Sequence, residues 1–171
     1  MRKLKLLIVT LFVFLVSLNN VNAMTLKPTG ATSCKRGSEI TLYVTLNRTS
    51  GEKTVSAVDG VLSFDSNVFS LVSSESLMNG WTQFSAIENN KTFSFGNLTF
   101  DKLITDTSKN IAKVILKTKD NASYGDSYIS ISNPSATDEN GDGVTISRGK
   151  HTVKVLSDVN TLSNIVVEGA D

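Results

Sequence analysis

The sequence predicts an all-β sandwich of about eight or nine strands between Leu26 and Leu156. Three observations carry that prediction. Runs rich in Val, Ile, Thr, Phe and Tyr alternate apolar and polar residues with a period of two. Turn-forming clusters punctuate them at Lys35-Arg36-Gly37, Ser50-Gly51-Glu52, Asn79-Gly80, Asn89-Asn90, Asn121, Asn140-Gly141-Asp142-Gly143 and Gly149. No window of about 11 or more residues keeps a helical apolar period with caps at its ends, and no repeat of 20–50 residues is visible.

The first element is not part of the sandwich. Residues 1–5 carry three basic side chains, and Leu6 to Leu18 is a largely apolar run of 13 residues. Val21 and Ala23 then supply small residues at the −3 and −1 positions, so residues 1–23 read as a secretory signal peptide cleaved after Ala23. The apolar run is shorter than the roughly 20 residues that span a bilayer. Of the 171 residues, 148 remain after cleavage, enough for one domain with a substantial core. Losing Arg2, Lys3 and Lys5 changes 17 Lys+Arg against 16 Asp+Glu into 14 against 16, a net −2. Such a balance offers no basic patch for a phosphate backbone, so nucleic acid is excluded as partner.

Ile40-Thr41-Leu42-Tyr43-Val44-Thr45-Leu46 opens the strand series, with Ile40, Leu42, Val44 and Leu46 on one face. In Val58 to Phe64, Asp59, Val61 and Ser63 share the face opposite Val58, Gly60, Leu62 and Phe64. Leu62 and Phe64 mark the core side, which points Asp59 outward. Thr92-Phe93-Ser94-Phe95, Ile111 to Leu116, Tyr128-Ile129-Ser130-Ile131 and His151-Thr152-Val153-Lys154-Val155 repeat the alternation.

The succession of these segments resembles the cohesin domain. Gly37-Ser38-Glu39-Ile40-Thr41-Leu42-Tyr43-Val44-Thr45-Leu46 is similar to its second strand, where a Gly-Asp/Ser turn feeds an alternating strand. Val58-Asp59-Gly60-Val61-Leu62-Ser63-Phe64-Asp65-Ser66-Asn67-Val68-Phe69 resembles the stretch in which an apolar strand ends in Tyr-Asp. Ile111-Ala112-Lys113-Val114, Gly125-Asp126-Ser127-Tyr128-Ile129 and Gly149-Lys150-His151-Thr152-Val153-Lys154-Val155 resemble the later strands, in the family's order. The resemblance covers roughly residues 26–156 and implies a nine-stranded jelly roll at residues 24–157. It also implies a non-catalytic exported module that binds a dockerin-type protein, or a polysaccharide as related modules do. In dockerin-binding cohesins an Asp at the place of Asp59 contacts the partner, which makes Asp59, Val61 and Ser63 the expected partner-binding residues. The family's frequent Asn two residues earlier is here Ala57.

Residues 158–171 form a linker and the start of a further unit. Leu162-Ser163-Asn164-Ile165-Val166-Val167-Glu168-Gly169 resembles the first strand of a cadherin-like β-sandwich repeat of bacterial surface proteins. That implies a chain cut where a second domain begins, with cell-surface attachment beyond residue 171; the alternative is a simple C-terminal extension.

Other residues are candidates for chemistry. Asp138-Glu139-Asn140-Gly141-Asp142-Gly143 matches the first half of a calcium loop, with oxygens at Asp138, Asn140 and Asp142, but Gly149 stands where the bidentate Glu belongs. The sequence therefore predicts a tight polar turn, with calcium as its alternative. Trp81 follows Asn79-Gly80 and is either an anchor at the core's rim or a sugar contact. One cysteine, Cys34, and one histidine, His151, leave no zinc set and no internal disulfide. Cys34 lies 16 residues past the apolar run, too far for a lipidated N-terminus, and reads as a small buried residue of the first strand. His151 reads as an exposed strand residue. With no nucleophile elbow or phosphate loop, the sequence predicts no enzyme and no cofactor. Protein assembly, polysaccharide binding and a structural spacer are the three functions left.

Overall fold

A computed structural model describes residues 24–157 except Ser50, Asn89, Asn90, Phe100 and the side chain of Phe84. The expected signal peptide at 1–23 and the expected second-domain strand in 158–171 lie outside the described residues. In chain order the strands are β1 (Met24–Gly30), β2 (Ser33–Cys34), β3 (Glu39–Asn47), β4 (Ala57–Phe64), β5 (Phe69–Ser76) and β6 (Thr82–Ser85). They continue as β7 (Thr92–Gly96), β8 (Ser108–Thr118), β9 (Gly125–Thr137), β10 (Gly143–Val144), β11 (Ile146–Arg148) and β12 (Lys150–Val155). Three of these twelve, β2, β10 and β11, are only two or three residues long, which leaves nine longer strands. The described residues contain no helix.

Two sheets face each other. One runs β11-β1-β3-β8-β5; the other runs β2-β12-β9-β4-β7-β6, with β10 also on β9. Pairing is antiparallel throughout except at two places, β1 with β11 and β12 with β2, which are parallel. Alternation decides what lies between the sheets. Ile40, Leu42, Val44 and Leu46 of β3 are all at most 5% exposed. Val58 and Leu62 of β4, Phe93 and Phe95 of β7, and Ile129 and Ile131 of β9 meet them from the other sheet. The two phenylalanine rings stack with centroids 6.0 Å apart. Each such side chain taken out of water contributes roughly 1.5–3 kcal/mol, and their sum drives closure of the sandwich.

Three sequence expectations need adjusting. Cys34 is buried, but on β2, where it pairs beside Val155, and not on the first strand. His151 is half-buried, and its Nε2 donates to the Ala31 carbonyl at 2.8 Å, because the parallel run of β12 beside the β1–β2 connection brings that oxygen within reach. Phe64, expected in the core, is half-buried at the end of β4 under the Lys91 ammonium, 3.9 Å from its ring centroid.

Gly60 lies on the core-facing side of β4, close against β7 and β9. A Cβ there would stand 2.7 Å from a Phe93 ring carbon and 2.9 Å from Ile131 Cγ2. Glycine lets β7 and β9 close on β4 with their large side chains in place. Gly60→Ala should therefore lower stability by about 1–3 kcal/mol through overpacking, read by denaturant melting. A neutral outcome would mean that Phe93 can turn aside at no cost.

Polar bonds close the end of the sandwich where β4 begins. Asp138 is fully buried. Its Oδ2 accepts from Lys53 Nζ at 2.5 Å, and its Oδ1 accepts the N–H groups of Asn140 and Asp142, each at 2.9 Å. Its carbonyl accepts from the Ser56 hydroxyl, while Thr54 donates to Glu139. The loop thus clasps the segment leading into β4. The Lys53 hydrogen bond, helped by the two backbone N–H groups and opposed by burial, holds the Asp138 carboxyl below its ordinary 3.8. The same bond raises Lys53 above its ordinary 10.5.

A depressed carboxyl pKa gives stability that is present above 3.8 and lost as pH falls through the folded value. A raised lysine pKa gives stability that is present below 10.5 and lost as pH rises through the folded value. The Tm gap between wild type and Asp138→Asn should be flat near neutrality and shrink at both extremes; a gap unchanged in acid would show that the charge pair contributes nothing. Calcium should leave Tm unmoved, because the loop's first ligand already holds an ammonium. An occupied site at 100 times its Kd would add about 2.7 kcal/mol, so a rise of several degrees that disappears in Asp138→Ala defeats this expectation.

Candidate functional site

The outward face of the seven-stranded sheet gathers the residues that the sequence marks for recognition. Asp59, Val61 and Ser63 lie together on it, half-buried, while Val58, Gly60 and Leu62 point into the core. β9 and β7 flank β4, so Asp59 stands between Ser135 and Ser94, Val61 between Ser132 and Thr92, and Ser63 beside Ser130. Ser135 Oγ donates to Asp59 Oδ2 at 3.0 Å. Ser63 and Ser132 share a hydrogen bond at 3.1 Å, and Ser132 reaches the Val61 carbonyl at 3.4 Å. The result is a carboxylate set in a field of hydroxyls around one apolar residue. Among the described residues, no other hydrogen bond reaches the Asp59 side chain.

Such a face can accept and donate hydrogen bonds over a broad area. Ala57, two residues before Asp59, sits half-buried opposite Gly96 and Thr137 and adds no polar group.

The remaining predicted residues lie elsewhere. Asp138 is committed to Lys53, and Asn140 and Asp142 are exposed on the loop outside it. Among the described residues no three His, Cys, Asp or Glu side chains converge on one point. Trp81 is half-buried against the core before β6, and its indole N–H is bound to the Lys102 carbonyl at 2.6 Å. An anchored ring of this kind fits a rim role better than a flat platform for sugar. A groove of about 680 Å³ lies beside β5, lined by Phe64, Leu71, Val72, Ile87 and Lys91, and includes none of these residues.

Sequence reasoning missed two features of the face. β9 carries a bulge at Asn133-Pro134, where the register with β4 shifts between Asp59 and Val61. An Asn-Pro pair inside an alternating run was the available signal, since proline cannot donate to a ladder. Tyr128, 55% exposed, lies further along β9 with the Lys150 ammonium 4.8 Å from its ring centroid; its outward position follows from the same alternation that buries Ile129.

Comparison with solved structures finds the same architecture in cohesins. A cohesin module from the Clostridium perfringens ATCC13124 family 33 glycoside hydrolase superposes with a TM-score of 0.65 at 14% identity, over 79% of this chain and 98% of that one. A cohesin from Clostridium acetobutylicum gives 0.61 at 16% identity, over 81% and 94%. The non-cellulosomal cohesin of the archaeon Archaeoglobus fulgidus gives 0.60 at 15%, over 79% and 92%. No curated protein sequence matches. At these identities the likeness speaks for the fold. The profile of the cohesin domain, however, matches residues 24–155 of the sequence itself, from the first residue of β1 to the last of β12. By sequence profile and by architecture, this chain belongs to the cohesin domain family.

Proposed function

We propose that the chain is an exported cohesin that binds a dockerin-type protein partner through the outward face of its seven-stranded sheet, centred on Asp59, Val61 and Ser63. Cohesin domains are non-catalytic modules that bind dockerins. The observation that carries the reading for this chain is Asp59 itself. A mid-strand carboxylate turned outward, with a single hydrogen bond from Ser135, retains acceptor capacity for a partner. The hydroxyls around it can follow the partner's polar groups, and Val61 gives the patch an apolar centre. Export is supported by the basic start, apolar run and Val21/Ala23 pattern of residues 1–23. Among the described residues no helix is long and apolar enough to cross a membrane.

Calorimetric titration of the mature chain with dockerin modules encoded in the same genome tests the reading. Asp59→Ala should leave folding within about ±0.5 kcal/mol and weaken the best dockerin by roughly 1–3 kcal/mol, as loss of a charge-assisted hydrogen bond does. Equal affinity for wild type and variant removes Asp59 from the interface. Binding of polysaccharide with no dockerin affinity replaces the proposal with carbohydrate recognition.

A further inference from the structure

The bulge beside Asp59 holds a residue in a costly conformation that the fold itself does not use. Register between β9 and β4 passes from Ser135 opposite Asp59 to Ser132 opposite Val61, so Asn133 and Pro134 both stand against Gly60. Asn133 has φ of 47°, in the left-handed region that L residues enter at a cost. A following proline disfavours helical backbone further and pushes its predecessor toward extended conformations. Glycine is the residue that takes such a bulge position without strain. Pro134 in turn fixes its own φ and brings no N–H to the ladder, which keeps the bulge open. Asn133 is exposed, and among the described residues no hydrogen bond or ion pair engages its carboxamide.

A strained, rigidly held polar residue with no partner inside the fold, one position along from Asp59, points to a role outside the fold. We propose that Asn133 is a second polar contact of the partner-binding face, its carboxamide acting beside Asp59 on the same partner group. The inference rests on the reading of that face as the dockerin-binding surface. A carboxylate only accepts hydrogen bonds, whereas a carboxamide donates and accepts. Side by side they suit a partner group with both a proton and a lone pair to offer, such as a hydroxyl or a peptide unit. The bulge contributes pre-organisation, since the backbone that carries Asn133 is already fixed before the partner arrives.

The test uses the mature chain, the dockerin module that wild type binds best, and the variants Asn133→Gly, Asn133→Asp and Asp59→Ala. Asn133→Gly relieves the left-handed strain, so Tm should stay the same or rise, while Kd should rise about threefold to tenfold, the range of one neutral hydrogen bond. Asn133→Asp, which tolerates the same backbone but lacks the donor, should weaken binding at least as much. The Asp59→Ala/Asn133→Gly pair should be non-additive, since both act on one group. Unchanged Kd in Asn133→Gly, with Asp59→Ala still weakened, overturns the role of Asn133 and leaves the face reading standing. A lower Tm in Asn133→Gly also overturns it, because the carboxamide would then be holding the fold. If wild type binds no dockerin, or Asp59→Ala binds as wild type does, the face reading fails and this inference fails with it.

Discussion

The close approach of three strands at Gly60 is the constraint from which the outward face around Asp59 follows. Because no Cβ intervenes, the Phe93 ring and Ile131 reach the backbone of β4, and β7, β4 and β9 are held in one register. A slip of one residue would send Leu62 outward and Asp59 into the core, exchanging apolar burial for a desolvated carboxylate. The core packing on one side of β4 therefore dictates the chemistry on the other. The same glycine faces the bulge of β9, so the place where the β4–β9 ladder opens is closely packed from beneath.

Much of this was legible in the sequence, for physical reasons. Period-two alternation reports which face is buried whenever one face packs and the other is wet, and β3, β4, β7 and β12 all meet that condition. The outward position of Asp59, Val61 and Ser63 came from that alternation, and their suggested role came from a family resemblance. What alternation cannot report is any interruption of itself. The bulge at Asn133-Pro134 shifts the phase of β9, and the short strands β2, β10 and β11 are too brief to show a period at all. Long-range polar partners were equally hidden. The Asp138 loop looked like half a cation site because its local pattern is one, and the ammonium that satisfies it comes from Lys53, 85 residues away along the chain.

The fold is held without covalent help among its described residues. Its one cysteine is buried and free, so cohesion comes from the core and from polar clasps at its margins. The Lys53–Asp138 bond closes the end where β4 begins. Across the five-stranded sheet, Thr45 gives its proton to Asn110 at 2.8 Å and so must receive one from Thr29 at 2.7 Å, a relay that links β1, β3 and β8. That relay explains how Thr45 can be 4% exposed and still satisfied.

The two parallel pairings have a mechanical meaning. Residues 24–34 and 146–155 run side by side in the same direction, from Met24 beside Ile146 to Cys34 beside Val155, with His151 bound to Ala31 between them. The beginning of β1 and the end of β12 therefore leave the domain at opposite ends. Tension drawn between those two points acts along the strands, and the paired bonds bear it together instead of parting one after another as in a zipper.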